Sequence, residues 1–410
     1  SVASTPVVST ARTELRRSTD GGRTWKNVLP EVPVLKSMPP TTLDPMMWLD
    51  KKTGRVFSVE LLVEGSYIQW SDDGGDTWTP SPLCCGNPGD DHQTFVGGPP
   101  TALGPPPVGY PNVLYYCFNR VADASCSRSL DGGITWAPTG APAFDGACPE
   151  GGGHVNEGPV SASSSTAGHA IVDAKGTVYL PAGHCGMPYL AISHDEGTTW
   201  DFRQISEVYG TAADAGLGQN HLAVAVDAAG TVYFLWWSAD TLPLLSYSTD
   251  GGASWSHPVM IAPPGVRSVN FPAIAAGGPG QVAIVFPGAP KRWDYQAKDH
   301  DFRLPWNTYV LTSLNANTSR PAFWSSTVNP RNDPTHRGPC QGRCGGMFDF
   351  LDVKYAPNGE IWAGAVDTCT LLKVNKSLTA CAKGGDEDRN TAIDGQGVAV
   401  RQLAGPGLRR

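Results

Sequence analysis

An all-β propeller is the fold class this 410-residue sequence predicts. Three observations predict it: a turn motif repeated five times, a hairpin pattern that precedes the motif at the same spacing, and a composition rich in turn formers. The motif S-x-D-x-G-x-[TS]-W occurs at Ser18–Trp25, Ser71–Trp78, Ser129–Trp136, Ser193–Trp200 and Ser248–Trp255, with starts 53, 58, 64 and 55 residues apart. A pattern this constrained, repeated at this period, marks one supersecondary unit used again and again. In each copy the Asp carboxylate can accept backbone N–H groups across the turn, and glycine can take positive φ. The hydroxyls tie the hairpin down, and the Trp is large enough to plug a gap beside the neighbouring unit. Asp20, Asp73, Asp131, Asp195 and Asp250 are therefore read as structural rather than catalytic.

The second pattern is an apolar strand, a tight turn and another strand. It reads Met46–Ser58, His169–Pro181, Leu222–Trp236, Phe271–Phe286 and Asp349–Trp362, and its D-x-x-G-T-V-Y form is a hairpin with Gly in the turn. Gln93–Phe118 fits the same slot with a Pro-rich insertion at Gly98–Pro107. Each period thus holds strand, turn, strand, strand, box, strand, which is a four-stranded propeller blade. Ser313–Trp324 reads as a decayed sixth box, and Gly395–Leu403 as the innermost strand missing before Ser18. That strand would join the two chain ends and close a ring of seven blades, with six as the runner-up. Cutting the chain would break the repeat, so residues 1–410 are read as one domain.

Gly (48) and Pro (36) make up about a fifth of the chain and charged residues only 17%, which suits short strands and tight turns. The net charge of −8 carries no basic run, which argues against nucleic-acid binding. No apolar stretch approaches the roughly 18 residues of a membrane span; the longest, His221–Val226 and Thr231–Trp237, are strand-sized. Ten cysteines predict disulfides and an oxidising compartment. Cys117 and Cys126 flank a hairpin, Cys369 and Cys381 bracket a loop, and Cys340 and Cys344 form a CxxxC, whereas the pairing of Cys84, Cys85, Cys148 and Cys185 stays open. A zinc reading lacks CxxC pairs. Asn317 and Asn375 open glycosylation sequons. The chain opens at Ser1 without a basic and apolar leader, as a mature secreted product would, and a monomer is expected.

The five boxes resemble those of the Asp-box, or BNR-repeat, propellers, a sialidase-like superfamily that includes sialidases, xyloglucanase-type glycosidases and sortilin-like receptors. The resemblance covers nearly the whole length as architecture and leaves function open. It implies a fold that also hosts polysaccharide lyases. Sialidases resemble one another in an Arg-Ile-Pro motif, an arginine triad and a Tyr/Glu pair. Here Ser4–Arg17 holds no Arg-Ile-Pro, and nothing marks out a triad from Arg120, Arg267, Arg337 or Arg343. Sialidase activity is not expected.

In a propeller the starts of the innermost strands converge on one face, while the boxes lie toward the rim. At or just before those strands stand Asp44, Asp91, His92, His169, Asn220, His221, Asn270 and Asp349. Asx and His residues satisfy turn backbone singly; a recurring set around one mouth exceeds what turns require. Asp44, Asp91 and Asp349 could supply the two carboxylates of a glycoside hydrolase. His92, His169 and His221 suit the proton abstraction of a uronate lyase. Insertions add His154 and Glu157, and a charged, aromatic loop at Pro287–Trp306 carries Arg292, Trp293 and Tyr295. With Arg267, Asn220 and Asn270 these form the expected substrate-binding set, and Trp236 and Trp237 offer a platform of which one must face the core. The expected function is a secreted enzyme cleaving an extracellular polysaccharide, hydrolase ahead of lyase. The alternative is a non-catalytic propeller, either a glycan-binding lectin, which with one site per blade should repeat its binding residues as faithfully as its boxes, or a protein-interaction scaffold. No cofactor is required by this reading; Ca²⁺ at axial Asp and carbonyl oxygens is possible, zinc on His92, His169 and His221 less so.

Overall fold

The computed structural model describes residues 15–30, 45–62, 65–81, 85, 90–119, 124–144, 168–184, 187–207, 222–238, 241–292, 304–329, 334–335, 351–367 and 396–407. These residues contain strands and no helix. A two-stranded ribbon, β1 (Arg16–Arg17) and β2 (Lys26–Asn27), comes first. The first blade is β3 (Met46–Leu49), β4 (Val56–Leu62), β5 (Gly65–Ser71) and β6 (Thr79–Pro80), and the second is β7 (Asp91–Gly98), β8 (Val113–Asn119), β9 (Ala124–Ser129) and β10 (Ala137–Pro138). The third is β11 (Ile171–Val172), β12 (Val178–His184), β13 (Met187–Ser193) and β14 (Asp201–Gln204); the fourth is β15 (Ala223–Val226), β16 (Val232–Trp237), β17 (Pro243–Ser248) and β18 (Val259–Met260). The fifth carries an extra strand: β19 (Ser268–Val269), β20 (Ala273–Ala276), β21 (Val282–Ala289), β22 (Asn307–Ser313) and β23 (Trp324–Thr327). The sixth is β24 (Val353–Tyr355), β25 (Ile361–Asp367) and β26 (Gln396–Arg401).

All pairings within the sheets are antiparallel meanders, as consecutive hairpins dictate. The inner strands β3, β7, β11, β15, β20 and β24 stand side by side. The Lys51 ammonium, in the turn after β3, lies 4.7 Å from the ring centre of Tyr355 on β24 and joins the last blade to the first. The described residues therefore form six blades, the runner-up count, and not the preferred seven. The reason is visible at both chain ends. Among the described residues the first box has only its two flanking strands, β1 and β2, and no inner pair. Residues 396–401 pair with β25 as the third strand of the sixth blade, not as an innermost strand. The ends still meet sideways: a Cβ on Gly22 would stand 2.9 Å from the Trp362 ring on β25. On its other side, the Val28 carbonyl after β2 accepts the Trp78 indole N–H.

Blades are buried on both faces because each is sandwiched between neighbours, so their central strands read as near-continuous apolar runs. On β16, Val232, Phe234 and Trp236 pack toward the third blade, whereas Tyr233, Leu235 and Trp237 pack toward the fifth. Trp236 and Trp237 are thus both core residues, which corrects the expected sugar platform. Each large side chain buried this way contributes about 1.5–3 kcal/mol.

The five boxes have one geometry. In the first, the Ser18 hydroxyl donates to Asp20 Oδ1 and accepts from Gly22 N; Asp20 Oδ1 also accepts from Arg23 N and Thr24 N, and Oδ2 from Thr24 Oγ1. The Ser–Asp–Thr/Ser clasp recurs at Asp73, Asp131, Asp195 and Asp250. The decayed sixth box keeps part of it, with Ser313 Oγ donating to Asn315 Oδ1. Trp324, however, falls on β23 and stands half exposed.

An arginine from the preceding sheet leans on most boxes. Arg17 donates to the Gly74 carbonyl at 2.9 Å, Arg55 to that of Gly132 at 2.8 Å and Arg128 to that of Glu196 at 3.2 Å. The Arg401 guanidinium on β26 lies 3.6 Å from where a Cβ on Gly21 would be. Cys117 and Cys126, directly paired on β8 and β9, form a disulfide as their spacing predicts, and Cys85 is also disulfide-bonded. Cys84, Cys148, Cys185, Cys340, Cys344, Cys369 and Cys381 lie outside the described residues.

Candidate functional site at the inner-strand starts

Every box joins a third strand to a fourth, and every D-x-x-G turn joins a first to a second, so both lie at the lower end of the ring. The starts of the inner strands lie at the upper end, which is the face the sequence singles out. In the second blade that start is irregular. The register shifts between Asp91 and Thr94, and His92 adopts φ 48°. Such a bulge re-aims side chains, and here it turns His92, Gln93 and Thr94 into buried positions. The Thr94 hydroxyl accepts Ala170 N at 3.0 Å, and His169 forms a parallel bridge with Ala223. The second, third and fourth blades are stitched together at their upper ends.

His169 is the chemically distinct group on this rim. Its backbone bridges two blades and its ring is half-buried. Burial pushes the imidazole below its ordinary value; Asp352 pulls it back up and Lys354 pushes it down further. His169 belongs to the third blade and Asp352 and Lys354 to the sixth, so charges of both signs act on the imidazole from another blade. Asp352 is held by Lys354, whose ammonium donates to Oδ1 at 2.7 Å. The shift as a whole is downward, so burial outweighs the pull of Asp352 and favours the uncharged imidazole.

Backbone strain concentrates at the same end. Five described non-glycine residues have positive φ: Cys85, His92, Thr241 and Phe271 at the upper end, and Glu196 in the fourth box. Strain of this kind clusters where a site over-determines the backbone. Below the seam of the first two blades, the Tyr116 hydroxyl sits 2.7 Å from Ser66 Oγ and 3.1 Å from Asp90 Oδ2, all three buried. Burial pushes the Tyr116 phenol up, with the Asp90 charge adding to it, so this cluster positions the strand start rather than exchanging protons.

Of the predicted residues, the structure brings His92 and His169 to adjacent blade starts and sets Asn270 and Arg267 at the start of the fifth. Asn270 is fully buried, its Oδ1 accepting Phe271 N, while Arg267 and Arg292 are exposed. Asp91 begins β7 opposite Asn119. Asp44, His154, Glu157, Asn220, His221, Trp293, Tyr295 and Asp349 lie outside the described residues. Sequence reasoning missed Asp352 and Lys354. Their signal was present: β24 starts at Val353, so Asp352 is the residue just before an inner strand, the register used for every other blade. Among the described residues no group of three or more His, Cys, Asp or Glu side chains could hold a metal ion.

No protein-family model matches the chain. A curated xyloglucanase from a Paenibacillus species is 27% identical over 263 residues, covering 59% of this chain and 23% of the relative; the chain therefore spans less than a quarter of that protein's length. Solved structures with a similar shape include a protein of unknown function from Dyadobacter fermentans, with 13% identity, 79% of this chain and 89% of that one covered, and a TM-score of 0.46. The Aleuria aurantia lectin has 11% identity, 78% and 91% coverage and a TM-score of 0.45. The intramolecular trans-sialidase of Ruminococcus gnavus has 14% identity, 88% and 85% coverage and a TM-score of 0.40.

Proposed function

We propose that this protein is a secreted carbohydrate-active enzyme that cleaves an extracellular polysaccharide at the upper mouth of its propeller. The observation that carries this reading is the asymmetry of that mouth. The bulge stands at the start of the second blade, the half-buried imidazole at the third, the extra strand at the fifth and the carboxylate–ammonium pair at the sixth. A repeating lectin would present the same groups in each blade; a single catalytic centre needs different ones. The sequence likeness to a xyloglucanase supports a glycan as the substrate, and the Cys117–Cys126 disulfide supports an oxidising compartment.

Hydrolysis is the first reading. One carboxyl group protonates the leaving oxygen while a second activates water or attacks the sugar. Asp352 is one candidate, with Asp44, Asp91 and Asp349 as the others. The place of His169 at the start of the third blade favours a second reading, β-elimination, in which the imidazole takes the C5 proton beside a uronate carboxylate, a C4=C5 double bond forms as the C4–O glycosidic bond breaks, and the leaving oxygen picks up a proton, with no water consumed. Assays on a polysaccharide panel separate the two: reducing ends alone accompany hydrolysis, whereas reducing ends with ultraviolet absorbance from an unsaturated product accompany elimination. Replacing His169 by Ala or Asp352 by Asn should lower the rate by about a hundredfold or more with an unchanged melting temperature. Binding without either product would leave a lectin and overturn the catalytic reading.

A further inference from the structure

The fifth blade differs from the others above the level of its inner strand. β19 extends that strand upward, pairing Ser268 with Ala289 and Val269 with Gly288. The extension is braced from both sides. Arg267 N donates to the Ala289 carbonyl at 2.8 Å, and the Thr241 hydroxyl donates to the Arg267 carbonyl at 2.9 Å. Thr241 holds φ 64° to do so, and its carbonyl accepts Val269 N. Behind this wall Ala289, Leu304 and Trp306 form a small core of their own. Trp306 exchanges two backbone hydrogen bonds with Thr335, whose hydroxyl donates to the Val366 carbonyl of the sixth blade at 2.8 Å.

The lip so built displays cations. Arg267 stands exposed at its crest, and Lys291 and Arg292 follow directly on the strand end it is bonded to. Among the described residues no carboxylate lies within ion-pair distance of Arg267 or Lys291. Beneath them the buried Asn270 amide nitrogen has no hydrogen-bond acceptor among the described residues, a second donor left uncompensated under the same lip. In a chain of net charge −8, an arginine whose backbone is fixed at both its N–H and its C=O, and whose guanidinium meets no carboxylate among the described residues, is placed to receive an external anion.

We infer that the raised lip of the fifth blade is an anion subsite which selects polysaccharides bearing carboxylate or sulfate groups, with Arg267 and Lys291 as its principal contacts. This rests on the glycan reading above and narrows its substrate class. Arg267 offers a planar fork to a carboxylate or sulfate, and Lys291 adds a point charge beside it. Neither touches the reacting bond; both hold a charged sugar along the mouth.

Affinity electrophoresis of the full chain through gels containing polygalacturonate, a sulfated galactan or neutral xyloglucan tests this. The wild type should be retarded by at least one acidic polymer, and whichever acidic gel retards it tells carboxylate from sulfate. Arg267→Gln combined with Lys291→Gln should weaken that retardation by about tenfold or more and leave any retardation by xyloglucan unchanged. Arg267→Lys should fall between, since it keeps the charge and loses the fork. Equal retardation of wild type and double variant in the acidic gels would overturn the subsite. A parallel loss in acidic and neutral gels would also overturn it, because the lip would then read sugar rather than charge. Retardation by xyloglucan alone would overturn the subsite and spare the glycan reading, whereas retardation by no polymer would overturn both. Melting curves of the variants matching the wild type keep a loss of retardation from being a loss of folding.

Discussion

Glu196 stands where the other four boxes carry glycine, and it adopts φ 61° there. That conformation costs a side chain about 1 kcal/mol or more. The carboxylate repays it by accepting Thr101 N at 3.0 Å and lying 3.8 Å from Arg128, while burial pushes its carboxyl above the usual range. Glu196 therefore anchors the Pro-rich insertion of the second blade. Glu196→Gly should relieve the strain but release the insertion, giving a net loss of about 1 kcal/mol and a new protease cut within residues 101–109, read by mass spectrometry. The box aspartates act in the opposite direction. Hydrogen bonds from Thr24, Thr77 and Ser254, through side chain and backbone, hold Asp20, Asp73 and Asp250 far below the ordinary carboxylate range. At Asp131 and Asp195 burial pushes upward, but the bonds from Thr135 and Thr199 prevail. A lowered folded value means stability that is present above about pH 4 and lost as pH falls toward the folded values. The melting temperature should therefore drop with acid below about pH 4, and Asp250→Asn should make that drop shallower. The box roles were legible in the sequence because the bonds are local. The departure at Glu196 was legible as an oddity, and its partner Thr101, in another blade, was not.

At the scale of elements, the D-x-x-G turns carry a second clasp. Asp227 Oδ1 accepts Ala229 N and Thr231 N, and Oδ2 accepts the Tyr233 hydroxyl and Gly280 N of the next blade. Asp173 repeats the local part, and Asp50 reaches Tyr110 and Asn112 of the second blade. The hairpins were legible from Gly and alternation; their use as links between blades was not, because the partner sits 53 to 62 residues away. The Cys117–Cys126 bond staples β8 to β9 where the second blade meets the mouth. Replacing both by Ala should lower stability by about 2–3 kcal/mol, measured by urea unfolding. A loss well under 1 kcal/mol would mean the hairpin is held by packing alone.

The whole molecule is a ring, and a ring must be closed. β26 lies on β25, and its Arg401 approaches Gly21 of the first box just as Arg17, Arg55 and Arg128 approach the second, third and fourth. Arg55 shows the strongest form, paired to Asp72 through two 2.7 Å bonds and stacked 5.3 and 5.0 Å from the Trp70 and Tyr110 rings. Arg401→Ala should cost about 1–2 kcal/mol. It should speed amide exchange in residues 21–25 while leaving residues 74–78 protected. Equal loosening of both turns, or of neither, would place the closure elsewhere.

The unit could be read along the chain: a blade with its turns, its structural aspartates, its direction of burial and one disulfide, all set by hydrogen bonds and periodicities within a few residues. The tertiary structure decided how many units face the axis, which third strand the C-terminal segment becomes, and which polar groups share the mouth. His169 and Asp352 are 183 positions apart, and the charge of one reaches the other only through the closing of the blades into a ring. The fifth-blade lip exists only because β19 climbs on β21. Local chemistry repeats along the chain and can be read there, whereas apposition depends on the closing of the circle, which no short window contains.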